Sequence, residues 1–194
     1  MGGKKREQME MILEVIFSTV SEDGLPNFAP MGAIWGEKEM VVRPFLNTRT
    51  FQNLRSSGYG VASITDDVLV FAKTALQDFL PPHFPARSIQ GFVLDDCCFW
   101  RELKVKSIKE RGERAEVTCE VVDGGWKRDF LGFNRARNAI IELVILATRL
   151  HLQPPGDLEM TIKKSGEIVE KTGGEREKEA FHFVQDFIKG GRGK

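Results

Sequence analysis

Thr48, Arg49, Thr50 and Asn53 are packed into one short stretch that follows a strand-like run ending in Arg43-Pro44-Phe45. Thr48 to Ser57 has helical spacing, with Phe51 and Leu54 on one side and Asn47 or Thr48 as N-cap. The first turn of such a helix has unpaired N–H groups and the positive end of the helix dipole, a setting that favours an anion. Arg49 can grip a phosphate through two parallel hydrogen bonds, with the hydroxyls of Thr48 and Thr50 as neutral donors. Asn53 lies one helical turn beyond Arg49 and is read as facing the same way. By composition alone the segment fits an ordinary capped helix with a solvated arginine better than an anion site.

A second segment, Ala29-Pro30-Met31-Gly32-Ala33-Ile34-Trp35, runs antiparallel to the Arg43 strand through the tight turn Gly36-Glu37-Lys38. The small residues Gly32 and Ala33 let a flat ring approach the backbone of Met31 to Ile34. The alternative is a core strand with small packing residues. Side by side, the two segments make a pocket with a flat, backbone-lined half and an anionic half, suited to a phosphorylated heterocycle.

The elements that must hold these residues are strands first and helices later. Met11 to Thr19 is rich in β-formers and leads to the turn signal Glu22-Asp23-Gly24. Tyr59 to Thr65 reads as a buried strand after Gly58, a helix C-terminal cap, and Asp66-Asp67 can cap a short helix from Val68 to Leu76. The stretch from Asp78 to Pro85 contains Pro81, Pro82 and Pro85 and reads as a loop without regular structure, serving as a lid, a dimer contact or a plain connection. Phe99 to Lys109 and Arg114 to Val122 alternate as an antiparallel pair, and Gly124-Gly125 is read as the end of the barrel pattern. Asn134 to Leu150 reads as a long helix buried on most sides. Its polar stripe Arg135, Asn138, Glu142 and Arg149 would then need partners from a ligand or another subunit. After the break at Pro154-Pro155-Gly156, Leu158 to Thr172 and Glu175 to Lys189 form a charged helical hairpin, and Gly190 to Lys194 a frayed tail.

The order of a Pro-Met-Gly strand, a turn, an Arg-Pro-Phe strand and then Thr-Arg-Thr-x-x-Asn-Leu resembles the FMN-binding split-barrel superfamily of flavin reductases and pyridoxamine phosphate oxidases. Residues Leu13 to Asp66 carry that resemblance. The whole chain, including Phe133 to Leu150, is similar to an archaeal family of flavoproteins within it, a domain of unknown function. The resemblance implies an α+β fold, mainly β: an antiparallel Greek-key split β-barrel over residues 1–125, with a C-terminal helical region over 126–194. It also implies a homodimer with FMN near the subunit interface. Thr48, Arg49, Thr50 and Asn53 match phosphate-binding positions of the flavin-reductase branch, and Met31, Gly32, Ala33 and Ile34 the strand along the isoalloxazine. Arg43, Trp126 and Arg135 complete the set of cofactor-binding candidates: Trp126 by stacking on the ring or sealing the barrel end, Arg135 by reaching the phosphate or the flavin edge. His83 and Arg137 are secondary candidates. The substrate-phosphate Arg and His set of the pyridoxamine oxidases has no counterpart.

Composition removes other classes. Apolar residues are 41% and charged residues 29%, as in an ordinary globular protein, and 28 basic residues balance 28 acidic ones. No basic field therefore draws the chain to nucleic acid or membrane. The apolar run Ala139 to Ala147 is too short to span a bilayer, and Met1 to Arg6 lacks an apolar signal core, so a cytoplasmic protein is expected. Cys97, Cys98 and Cys119 are an odd set with one adjacent pair, read as reduced and structural, and no metal site is expected. No nucleophilic triad or glycine-rich dinucleotide fingerprint stands out, and no catalytic residue is assigned. The reading is an FMN-dependent oxidoreductase with a nicotinamide or deazaflavin electron donor. Two alternatives remain open: a non-catalytic FMN carrier or redox-sensing dimer, and a structural dimer whose Thr-Arg-Thr segment only caps a helix.

Overall fold

The computed structural model describes residues 11–150 and 155–191, with no account of the side chains of 155–157. Met1 to Arg6, His151, Pro154 and the tail from Arg192 therefore lie outside the described residues. Strands β1 (Ile12–Val20), β2 (Pro26–Trp35) and β3 (Glu39–Val42) form a meander, followed by helix α1 (Arg49–Ser57), strand β4 (Tyr59–Ile64) and helix α2 (Val68–Leu76). Two short strands, β5 (His83–Pro85) and β6 (Phe92–Leu94), precede the long pair β7 (Phe99–Arg111) and β8 (Arg114–Trp126). Helices α3 (Arg135–Ala147), α4 (Pro155–Thr172) and α5 (Glu175–Gly191) complete the chain. The six long strands close into an antiparallel barrel in the order β1-β2-β3-β8-β7-β4. This is the α+β, barrel-first architecture expected from the strand and turn signals.

Two cores divide the apolar residues by strand face. Alternation sends Val15 and Phe17 of β1 into the barrel with Ala33, Met40, Val42, Leu103 and Val117. Ile16, on the other face of the same strand, joins α2, α3 and α5 through Leu69, Leu143 and Val184. Cys97 and Cys98, in the connection between β6 and β7, also divide: the first packs in the outer core, the second in the barrel. All three cysteines are free and buried.

Several expectations need correction. The segment at Pro81 to Pro85 is not wholly irregular, because His83–Pro85 pairs with Phe92–Leu94 as a two-stranded ribbon. Prolines are tolerated there because each strand has only one pairing neighbour. Beside Gly124-Gly125, β8 runs one residue further, to Trp126 opposite Phe99. A Cβ on Gly125 would lie 2.2 Å from the Trp100 ring, so packing rather than chain termination selects that glycine. Helix α3 stops at Ala147, and its stripe of Arg135, Asn138, Glu142 and Arg149 is exposed, so the helix is buried on one side only.

A buried ion-pair network ties the C-terminal helices to the barrel. Asp66, after β4, pairs with Arg128 at 2.7 Å and Arg137 at 3.2 Å, and Arg137 also pairs with Glu177 of α5 at 2.7 Å. Asp67 caps α2 through the Leu69 and Val70 amides and binds Arg176 of α5 at 2.6 Å. Among the described residues no helix is long and apolar enough to cross a membrane.

Candidate functional site

A cleft of about 840 Å³ lies outside the barrel, between the outer face of β1 and β2, the start of α1, the end of α2 and the last turn of α3. That volume falls within the range of small-molecule and cofactor sites.

One end is built around the start of α1. Thr48 is the N-cap, extended at φ −93° and ψ 150°; its Oγ1 accepts from the Phe51 N–H at 3.3 Å and donates to the Phe45 carbonyl at 2.7 Å. The first two helical residues, Arg49 and Thr50, have no intrahelical acceptor for their N–H groups, because that bonding begins one turn later. Arg49 points to the cleft and pairs with Asp78 at 3.0 Å, and the hydroxyl of Thr50 accepts from Asn27 Nδ2 at 3.2 Å. Gly58, left-handed at φ 74°, stops the helix by donating its N–H to the Leu54 carbonyl. Beside this end, Arg43 bonds Glu116 through Nε and Nη2, and Arg114 lies 3.7 Å over the Phe45 ring while donating to the Arg43 carbonyl at 2.9 Å.

The flat wall is β1 and β2. Glu14 and Gly32 are direct cross-strand partners on the outward face. Trp35 N donates to the Met11 carbonyl, so alternation turns the Gly32 peptide away from β1. It faces the side on which the β2–β3 ladder stops at Ala33 and Val42. Lacking a side chain, Gly32 leaves a cradle there: an added Cβ would meet Ile12 Cγ2 at 2.8 Å and stand 3.7 Å from Glu14 Oε1. Val144 and Ile145 of α3, with Thr148 and Arg149 just after its end, wall the cleft beyond this strand pair.

Of the expected site residues, Met31, Gly32, Ile34, Arg43, Thr48, Arg49 and Thr50 line this one cleft. Four others do not. Ala33 points into the barrel with no exposure, as strand alternation demands. Asn53 is turned inward with Phe51 and Leu54 and donates its amide to Thr19 Oγ1 at 3.0 Å; the buried face of α1 claims it. Trp126 is two-thirds exposed at the end of β8 and Arg135 is exposed at the start of α3, both outside the cleft lining. His83 also lies outside it, with its ring against Phe28 and Phe92, and Arg137 is held by Asp66 and Glu177. The residues missed are Asn27, Arg114, Arg149 and Glu14. Arg149 was legible as the end of the α3 polar stripe; Arg114 and Glu14 come from segments with no local motif.

Two family descriptions match almost end to end. Residues 13–128 match the protein of unknown function (DUF447) N-terminal domain, and residues 134–186 match the second DUF447 region. The chain belongs to the DUF447 family. Among solved structures it is similar to an FMN-bound protein of this family from Methanosarcina mazei, at 22% identity over 92% of this chain and 95% of that one, with a TM-score of 0.80. A split-barrel-domain protein from Shewanella frigidimarina aligns over 62% of this DUF447 chain and 70% of its own, at 12% identity and TM-score 0.55. An FMN-binding protein from Thermus thermophilus aligns over 66% and 79%, at 15% identity and TM-score 0.52. The barrel described above is a split β-barrel.

Proposed function

We propose that this DUF447 protein binds FMN in the cleft, with the phosphate at Thr48-Arg49-Thr50 and the isoalloxazine against Gly32, and that it works as an oxidoreductase. The observation that carries the reading is the union, in one cleft, of a helix N-terminus bearing Arg49 with a strand whose side-chain-free Gly32 faces outward. The first suits a dianionic phosphate and the second a flat ring, so the groups present fit the cofactor. The FMN bound by the Methanosarcina mazei family member supports the same cofactor here. Met31, Ile34 and Arg43 complete the contacts on this reading.

When bound, the flavin supplies the two-electron redox chemistry. The chain's own residues bind and orient it: Arg49 and the α1 amides neutralise the phosphate, while Ile12, Ile34 and Val144 keep water from the ring. Electrons would come from a nicotinamide or deazaflavin donor stacked over the open face of the cleft. A homodimer is part of this reading, supported by the apolar side chains on the connection before α3, where Leu131 is 75% and Phe133 99% exposed.

The test is reconstitution. Protein incubated with FMN and freed of excess ligand should carry about one flavin per chain and bleach anaerobically with NADH, NADPH or a reduced deazaflavin. A protein that retains no flavin overturns the reading. One that keeps flavin but bleaches with no donor is instead a carrier.

A further inference from the structure

Among the described residues Glu14 is the one carboxylate on the flat wall of the cleft, and it is shared by two cavities. It lines the large cleft beside its cross-strand partner Gly32, and it also lines a side cavity of about 70 Å³ toward α3. Its Oε1 lies 3.7 Å from the point a Cβ on Gly32 would occupy, so a ring resting on Gly32 would lie against this carboxyl. In a non-hydrogen-bonded cross-strand pair the two residues are at their closest, which fixes that proximity.

The surroundings of Glu14 are unusual for a surface acid. The cleft holds four guanidinium groups, those of Arg43, Arg49, Arg114 and Arg149, yet no ion pair joins any of them to Glu14 among the described residues. From α3 it faces Glu142, a like charge, and Asn138. Across the side cavity stand Asp66, already paired with Arg128 and Arg137, and Asp67, already paired with Arg176. Ile12, Ile34, Phe71 and Val144 supply the apolar walls around it. Although solvent reaches Glu14 through the open cleft, the protein around it and the Glu142 charge both push its carboxyl above the ordinary range.

Resting on the FMN reading above, we infer that Glu14 is the proton-accepting group coupled to reduction of the flavin, fed through the side cavity behind it. The balance is two electrons and two protons. FMN bound here would supply the two-electron acceptor, receiving a hydride (two electrons and one proton) from the donor's C–H bond, and the donor would leave oxidised. The carboxylate of Glu14 takes the second proton, relayed through water from the solvent, and becomes neutral, so the negative charge added at the ring does not face a second one. The only bond to carbon that breaks is the donor's C–H; at Glu14 an O–H bond forms with a proton from the solvent. The side cavity exceeds the roughly 10–15 Å³ that one water needs and carries polar groups on Asp66, Asn134 and Asn138, which gives the proton a route that bypasses the covered ring.

The experiment is a spectroelectrochemical titration of the FMN-loaded protein from pH 5 to 9, in wild type and Glu14→Gln, after retention of FMN has been measured for both. Where two protons accompany reduction, a tenfold change in proton activity shifts the two-electron equilibrium a hundredfold, about 59 mV per pH unit, against tenfold, about 30 mV, for one proton; wild type should hold the steeper slope to higher pH than Glu14→Gln. Equal slopes in the two proteins overturn the inference while leaving FMN binding intact. Wild type without bound flavin overturns the binding reading instead. Should Glu14→Gln not fold, Glu142→Gln keeps Glu14 but removes the like charge. It should move the two-proton window to lower pH, and an unmoved window counts against the inference.

Discussion

Arg49 Nη1 lies 3.0 Å from Asp78 Oδ1, an ion pair between two exposed side chains at the anionic end of the cleft. A carboxylate thus holds the guanidinium that a phosphate would use. Exposed pairs of this kind contribute about 0–1 kcal/mol, so the contact is readily exchanged for a dianion. Asp78→Asn should therefore tighten FMN binding, by up to about fivefold, and the gain should shrink as salt is raised. Flavin fluorescence quenching at two salt concentrations measures both effects.

Asn53 gives the opposite expectation. Its amide is bonded to Thr19 inside the barrel rather than turned to the cleft. Asn53→Ala should cost about 1–3 kcal/mol of folding stability by stranding the Thr19 hydroxyl, with FMN affinity changed less than twofold. Denaturant unfolding and flavin titration on the same variant separate the two roles. Weakened FMN with unchanged stability would return Asn53 to the anchor.

The network at Asp66 and Glu177 predicts a pH dependence. Burial alone would raise both carboxyls, but hydrogen bonds and charge from Arg128 and Arg137, with the Leu131 and Gly174 amides, hold both below their ordinary values. Groups whose folded pKa is depressed stabilise the fold above their unfolded pKa and lose that contribution as pH falls through the folded one. Arg137→Met, which takes the guanidinium from buried Glu177 and leaves Asp66 with Arg128 alone, should cost about 3 kcal/mol near pH 7. Its deficit in Tm should shrink as pH is lowered below about 4, where the unfolded-state carboxyls are protonated.

Burial pushes the thiol of Cys119 up to about 12 and that of Cys97 up to about 11. Thiolate is the reactive form, so at pH 8 the folded protein should resist a disulfide reagent at both positions and react fully only in denaturant. Rapid labelling of Cys119 in the native state would contradict its place in the barrel core.

Much of this was legible locally. Thr48 before a helical run and Gly58 after it mark α1 because caps act through their own backbone neighbours. The turn at Glu22-Asp23-Gly24 and the strand from Asn27 to Trp35 follow from turn chemistry and β-propensity. What was not legible depended on distant segments. Gly125 looked like a terminator, yet the Trp100 ring over it is what excludes a side chain. Asn53 stands one turn from Arg49, but which face of α1 meets the barrel is set by Phe51 and Leu54, and that face claims the amide as well. The three-residue strands β5 and β6 are too short for a period to emerge. Glu14 and Arg114 join the cleft only once β1 and β8 reach it, and neither carries a motif of its own.

The central claim is that Arg49 and the start of α1 bind the phosphate of FMN, and comparing FMN with riboflavin tests it most directly. Isothermal titration of the flavin-free protein should show FMN binding much more tightly than riboflavin. In Arg49→Ala, FMN should weaken by about 1.5–3 kcal/mol while riboflavin is unchanged, so that the gap narrows accordingly. Equal affinity for the two flavins in wild type, or an unchanged gap in Arg49→Ala, would contradict the account.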